Sequence, residues 1–367
     1  MRTLTILFTT AAILSVHAVD ITVADTALRS GAAYLIATQN TDGSWSDSGE
    51  PAIAGLAAIA LHACPTDVDD RDDAIAKAMG FLLGYTDDDG SIHGQPRRRL
   101  LVIKGSSYPV YTTSIALLAM ATIDELKYRD EIIAGREYLK GVQIDDSESR
   151  HYGGYGYGPG KRANLSNTAW STEALHVTDH LDREPFSDDS TRAQSSKKMW
   201  RQLDAFLRTL QSIRATPGAN GGLTDADHDG GYPYSPGRKM VSTGAMTYAG
   251  LKSMIYAKVD RNDARVRGAM AYIRKNYTID SEPGRGMGGY YYYLQTMAKA
   301  LDAYDEDILT TPNGNVRWRL DLITRLAELQ RADGSWVNGN GRYFEALPEL
   351  VTSYAMISIY TARGERE

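Results

Sequence analysis

Five loops of this 367-residue chain set a basic side chain beside glycine: Lys104-Gly105, Gly160-Lys161-Arg162, Gly237-Arg238-Lys239, Gly284-Arg285 and Gly341-Arg342. Arg97-Arg98-Arg99 adds three guanidinium groups upstream of the first. Guanidinium forks and ammonium groups recognise carboxylates and phosphates. The same stretches are rich in tyrosine, including Tyr108, Tyr111, Tyr155, Tyr157, Tyr232, Tyr234, Tyr290, Tyr291, Tyr292 and Tyr343. Polar residues then open the helical runs that follow, among them Asn164, Asn167, Thr243, Thr247, Tyr248, Gln295 and Glu349. From these we predict a ligand-binding rim of Lys161, Arg162, Arg238, Arg285, Arg342, Tyr111, Asn167, Tyr248 and Tyr291. Its chemistry suits an anionic head on a long body, or an acidic saccharide. It equally suits a loop layer in which tyrosines pack and basic groups bond backbone carbonyls.

Metal-ligand patterns are weaker. His176 and His180 share a helix face with Glu173, but Val177 stands where a zinc protease needs its glutamate. Asp225-Ala226-Asp227-His228-Asp229-Gly230 copies the start of a calcium loop, yet its twelfth position is Pro236 rather than a bidentate glutamate. Cys64 is the only cysteine, which excludes an internal disulfide and any cysteine-rich zinc site. No nucleophile elbow, phosphate-binding loop or dinucleotide fingerprint is present. We expect neither metal nor cofactor.

Helices must position these groups. Tyr34 to Trp45 and Leu326 to Trp336 share the pattern Leu-x3-Gln-x3-Gly-x-Trp, and each is followed by a helix-length apolar run. Related turns recur at Asp89-Gly90, Gly153-Gly154, Gly230-Gly231 and Gly288-Gly289, each followed by Ile92, Tyr155, Tyr232 or Tyr290. Six copies therefore run along the chain, with loop insertions in the middle ones. Each begins with a helix of ordinary periodicity and ends with one rich in Ala, Ser, Thr and Gly, such as 52–60 or 243–254. No run alternates long enough to predict a strand. Small residues let the second helices pack closely on both sides, and neither terminal copy looks like a solvent-facing cap. The predicted fold is all-α: an α/α toroid of six helical hairpins closed into an α6/α6 barrel. If the inner helices run parallel, the basic loops meet at one rim with the helices' unsatisfied N–H groups.

The Leu-x3-Gln-x3-Gly-x-Trp pattern resembles the QW repeat of squalene and other triterpene cyclases, and the repeats of protein prenyltransferase β subunits. It is specific at Gln39–Trp45 and Gln330–Trp336 and looser between. The chain looks most like the short exported bacterial members of that prenyltransferase and squalene oxidase repeat family. The resemblance implies the toroid and an isoprenoid-like substrate. It also draws attention to Asp67-Val68-Asp69-Asp70, which matches the cyclases' Asp-x-Asp-Asp acid motif with Asp69 in the proton-donating place. The motif falls after an inner helix rather than at its start, however, and Asp72 and Asp73 extend it into an acidic helix N-terminus. Glu349, at an expected mouth, is the other candidate acid. The prenyltransferase zinc site of Asp, Cys and His has no counterpart around Cys64.

The formal charge of −6 gives no reason to expect nucleic acid as a partner. Residues 1–18 read as a secretory signal: Arg2, an apolar run from Leu4 to Val16, and Val16-His17-Ala18 at the cleavage site. Residues 19–367 then form one toroid domain, exported to the periplasm or beyond and without a transmembrane segment. The oligomeric state stays open. Three functions fit: a terpenoid-cyclase-like or prenyl-transferring enzyme using Asp69 or Glu349; a non-catalytic binder of an isoprenoid, lipid or other amphiphile; and, ranked last, a polysaccharide lyase or hydrolase assembled from Tyr248, Asn167 and Arg238.

Overall fold

A computed structural model describes residues 5–46, 50–94, 108–212, 228–237 and 241–364, with side chains from Ile21 onward. Its helices alternate between two layers. The outer layer holds α1 (Thr5–Thr38), α3 (Arg71–Leu83), α5 (Arg129–Val142), α7 (Ser190–Leu210), α9 (Ala264–Asn276) and α11 (Trp318–Leu329). The inner layer holds α2 (Pro51–His62), α4 (Pro109–Asp124), α6 (Leu165–Val177), α8 (Gly244–Tyr256), α10 (Tyr290–Tyr304) and α12 (Pro348–Arg363). Each inner helix packs against the next, and α12 returns to pack against α2, so the ring is closed. The inner helices are buried nearly all round, as their small-residue composition requires; Gly55 and Gly250 leave no room for a Cβ against Ile115 and Tyr232.

The turns account for the repeat. Gly43, Gly90, Gly153, Gly230 and Gly334 all take positive φ, from 78° to 89°, in the turns of their copies, whereas Gly289, the expected fifth turn, caps the start of α10 and the fifth outer helix exits at Tyr277 without a glycine. In the third and fourth copies it is therefore the first glycine of the pair that makes the turn. A Cβ would also strike backbone: Ser30 O stands 2.2 Å from the position a Cβ on Gly334 would take, and Gln202 O 1.8 Å from that on Gly153. Glutamine supplies the mortar between neighbouring outer helices. Gln39 Nε2 donates to Gly43 O (3.2 Å) and to Ala74 O on α3 (2.9 Å). Gln143 reaches Gly153 O and Met199 O on α7; Gln211 reaches Gly230 O and Arg265 O on α9. Gln330 donates to Gly334 O and to Ala27 O on α1, which joins the last repeat to the first. Trp45 and Trp336 fold back over their turns, and their indole N–H groups donate to Leu35 O and Leu326 O. Threonines on the inner helices (Thr113, Thr168, Thr247 and Thr352) accept the N–H of Ile92, Tyr155, Tyr232 and Trp336, fixing each loop to its inner helix.

One element departs from the sequence reading. β1 (Leu309–Thr311) and β2 (Gly314–Val316) form a short antiparallel hairpin between α10 and α11. Its two-residue loop is Pro312-Asn313, and Gly314, at φ 115°, opens β2 opposite Thr311. No described helix is long and apolar enough to cross a membrane.

Candidate functional site

The entries to α4, α6, α8 and α10 gather at one rim, because each of these is tied to the loop of the following repeat. Val110 N donates to Tyr157 O, Leu165 N to Tyr234 O, and Gly244 N to Pro283 O. Carboxylates complete the tying. Glu282 accepts from Ala245 N at the start of α8 (3.2 Å), and Glu345 accepts from Tyr292 N at the start of α10 (2.8 Å). Asn164 caps its own helix through Asn167 N (2.9 Å). The N–H groups expected to face an anion are in these cases already occupied.

The lumen beneath is crossed by aromatic rings. Tyr111 from α4, Trp170 from α6, Tyr292 from α10 and Tyr354 from α12 come from helices on opposite sides of the ring and meet edge to face or tilted, with centroids 5.9 to 6.5 Å apart. Tyr111 and Tyr354 join hydroxyls at 2.9 Å, and Tyr292 hydroxyl meets Ser166 Oγ at 3.0 Å. Burial pushes all three phenols above their usual range. An open apolar barrel is therefore not what this level of the lumen provides.

Open space lies instead at the rim. A cleft of about 510 Å³ is bounded by Tyr234, Val241, Thr243, Arg285 and Arg342, with Gly284 and Gly288 in its wall. Arg285 and Arg342 approach the Tyr343 ring, 5.7 and 5.0 Å from its centroid, and Arg285 Nη1 also donates to the Tyr343 hydroxyl. Among the described residues Arg342 meets no carboxylate, and the nearest to Arg285 is Glu282 at 3.9 Å. Tyr343 and Phe344 both take left-handed φ (60° and 65°), a strained conformation for aromatic residues, and both stay exposed. Val241 and Met287 extend this apolar edge.

Three glutamates shape the rim's electrostatics. Burial pushes the Glu282 carboxyl up to about 7, against the opposing pull of Ala245 N–H and Arg285. Burial raises Glu345 too, partly offset by Asn338 and the N–H groups of α10. Glu50, which also takes Thr112 Oγ1 at 3.3 Å, is raised for the same reason. None of the three was picked out from sequence.

The predicted site residues divide. Arg285 and Arg342 share the cleft. Lys161 and Arg162 are exposed on the loop entering α6, on the same rim. Arg238 lies outside the described residues, as do Lys104, Arg97 to Arg99 and Asp225 to Asp227. Tyr111 is luminal. Asn167 is fully buried against Asn164, with its amide Nδ2 at 3.0 Å from Asn164 Oδ1 and its own Oδ1 unbonded. Tyr248 is buried beside Tyr293 (centroids 5.8 Å), and Tyr291 against Tyr290 (5.3 Å). Both sit in the packed wall. Their neighbour Tyr292 holds the luminal place, because one residue along a helix turns the side chain by about 100°. Asp69 is exposed on the loop after α2, at the end of the ring away from the rim, while its neighbour Asp67 pairs with Arg29 at 2.8 Å. Glu349 opens α12 half-buried, with Oε2 shielded from solvent and unbonded. Among the described residues no group of three or more His, Cys, Asp or Glu side chains could hold a metal.

No protein-family profile matches the sequence, and no curated protein does. Solved structures match the fold. The type II terpene cyclase MstE from Scytonema aligns over 94% of this chain and 98% of its own, at TM-score 0.55 and 12% identity. A family 76 glycoside hydrolase from a bovine Bacteroides thetaiotaomicron strain aligns over 92% of this chain and 78% of its own, also at TM-score 0.55 and 12% identity. A structure described as a glycosidase aligns over 94% and 97%, at TM-score 0.53 and 13% identity. The chain is an α/α toroid. Proteins of such different activity resemble it equally, so the shared fold does not carry an activity across.

Proposed function

We propose that this chain is an exported repeat toroid of the terpenoid-cyclase and prenyltransferase kind that binds an amphiphile with an anionic head, at the rim rather than deep in the lumen. One observation carries the reading. Arg285 and Arg342, from loops far apart in sequence, line one cleft and both approach the Tyr343 ring, with no carboxylate among the described residues in hydrogen-bond range of either. The exposed edge of Val241, Met287, Tyr343 and Phe344 supplies apolar surface for the body of the ligand. Binding needs no acid, and the exposed position of Asp69 gives it no route to a substrate in the lumen. The complex of MstE with geranylgeranyl dihydroxybenzoate, a prenylated substrate, supports a ligand of this class on a toroid of this shape.

The test compares geranylgeranyl diphosphate with uncharged geranylgeraniol by calorimetry. The diphosphate is expected to bind at least tenfold more tightly. Arg285→Glu with Arg342→Glu is expected to weaken it about a hundredfold while leaving the circular dichroism spectrum unchanged. Equal binding of the alcohol, or diphosphate binding unaffected in the double variant, would overturn the reading. Export is checked separately: fusion of residues 1–18 to a reporter is expected to deliver it outside the cytoplasm.

A further inference from the structure

Below the aromatic layer, three adjacent inner helices bring charge into the lumen. Glu173 of α6 is 2% exposed, and its Oε2 accepts from Lys252 of α8, itself 3% exposed. Lys299 of α10, 30% exposed, approaches Glu173 Oε1 at 3.1 Å. Two ammonium groups thus share one carboxylate. The next acid along α10, Asp302, also pairs with Arg319, at 2.7 Å. Ammonium groups taken out of water are costly unless acceptors meet them, and the partial exposure of Lys299 gives solvent a way to this pair.

The surroundings contribute further donors. Lys252 Nζ stands 5.5 Å from the Trp170 ring centroid, and the indole N–H of Trp170 is buried with no acceptor. One turn further along the same helices, His176 stacks on Tyr256 with centroids 4.3 Å apart and planes 13° from parallel, forming a wall. Burial lowers Lys252 from its ordinary value and His176 likewise, while Lys252 and Lys299 hold Glu173 down despite its burial.

We infer that this end of the lumen is a second ligand site, in which Lys252 and Lys299 take a small oxyanion, a carboxylate or a phosphate, alongside Glu173. The anion accepts from donors that now share a single carboxylate. The site is separated from the rim cleft by the four luminal rings and does not depend on what the rim binds.

Inorganic phosphate is the probe, titrated into full-length protein carrying Arg285→Glu and Arg342→Glu so that the rim contributes nothing. Saturable binding is expected, with a change in tryptophan emission that Trp170→Phe removes. In that background Lys299→Gln is expected to weaken binding about tenfold and Lys299→Arg to preserve it. Glu173→Gln removes the competing carboxylate and is expected to tighten binding by a similar factor. A purely structural cluster predicts the opposite pattern: Glu173→Gln destabilises the fold with no gain in affinity. No saturable phosphate binding in the double-variant background, or binding unchanged by Lys299→Gln, would sink the proposal. Lys299 is part-exposed, so its variants report even if Glu173→Gln fails to fold.

Discussion

Replacing Glu282 by Gln isolates the buried carboxyl beneath the rim cleft. The side chain is 3% exposed and accepts from Ala245 N, and burial pushes its pKa up from 4.5 to about 7. Between about pH 4.5 and 7 the folded protein keeps a proton on Glu282 that the unfolded chain has released. Stability therefore falls as pH rises through that window, and the loss is complete above the folded pKa. At about 1.4 kcal/mol per pH unit, the shift amounts to about 3 kcal/mol. A chain of this length unfolds with an entropy of roughly 0.7 kcal/mol/K, so the effect is about 4 °C in melting temperature. Gln has the same volume and keeps an oxygen for Ala245 N, but it does not titrate. Thermal unfolding followed by circular dichroism at pH 4.5 and pH 8.5 measures the difference. Relative to wild type, the variant is expected to gain about 4 °C between the two pH values. Taking the difference removes the contributions of Glu50 and Glu345, which burial also raises. Parallel profiles for the two proteins would show that Glu282 is ionised throughout, and the burial argument would be wrong. The same titration reaches the ligand: a proton on Glu282 leaves Arg285 freer for an anion, so affinity is expected to fall as pH rises through 7 in wild type only.

Other expectations follow from the ring itself. Gly153→Ala combines a φ of 78° with a Cβ only 1.8 Å from Gln202 O, and is expected to cost 3 kcal/mol or more, on the order of the largest single-site effects, in urea denaturation. Gln211→Ala removes two buried hydrogen bonds to Gly230 O and Arg265 O, and about 2 kcal/mol should be lost in the same assay. Asp69→Asn should leave both melting temperature and geranylgeranyl diphosphate binding unchanged, since the side chain is exposed and far from the rim. Loss of binding in that variant would restore Asp69 as a site residue.

The repeat was legible because its determinants are local. A glycine that must take positive φ, a glutamine four residues before it and a tryptophan two after it are all read within one turn, and the two complete copies show their geometry directly in Gln39, Gly43 and Trp45. What was not legible lies between repeats. Glu282 and Glu345 serve helices whose first N–H groups are 37 and 53 residues earlier, and Lys252 finds Glu173 across 79 residues. A basic residue beside glycine marks the rim loop but says nothing of its partners. The misplaced aromatic residues teach a narrower lesson. Tyr248 and Tyr291 were assigned to the correct end of their helices, but helix position fixes height along the ring, and only the phase of the helix decides between lumen and wall.

The same separation explains how toroids as different as a terpene cyclase and glycosidases align with this chain over most of its length at 11 to 13% identity. The ring is held by backbone carbonyls, glycines and glutamines in its outer turns, none of which faces the lumen. Luminal and rim residues can then vary without cost to closure. In this chain they divide the interior at the level of Tyr111, Trp170, Tyr292 and Tyr354, leaving an arginine-lined cleft above and a lysine-rich end below. On this reading both ends take anions, and the four contacting rings lie between them. Two ligands at sites so divided should bind additively, since coupling requires that one ligand distinguish between two arrangements of what lies between. Measured coupling between geranylgeranyl diphosphate and phosphate in wild-type protein would therefore identify a second arrangement of those four rings.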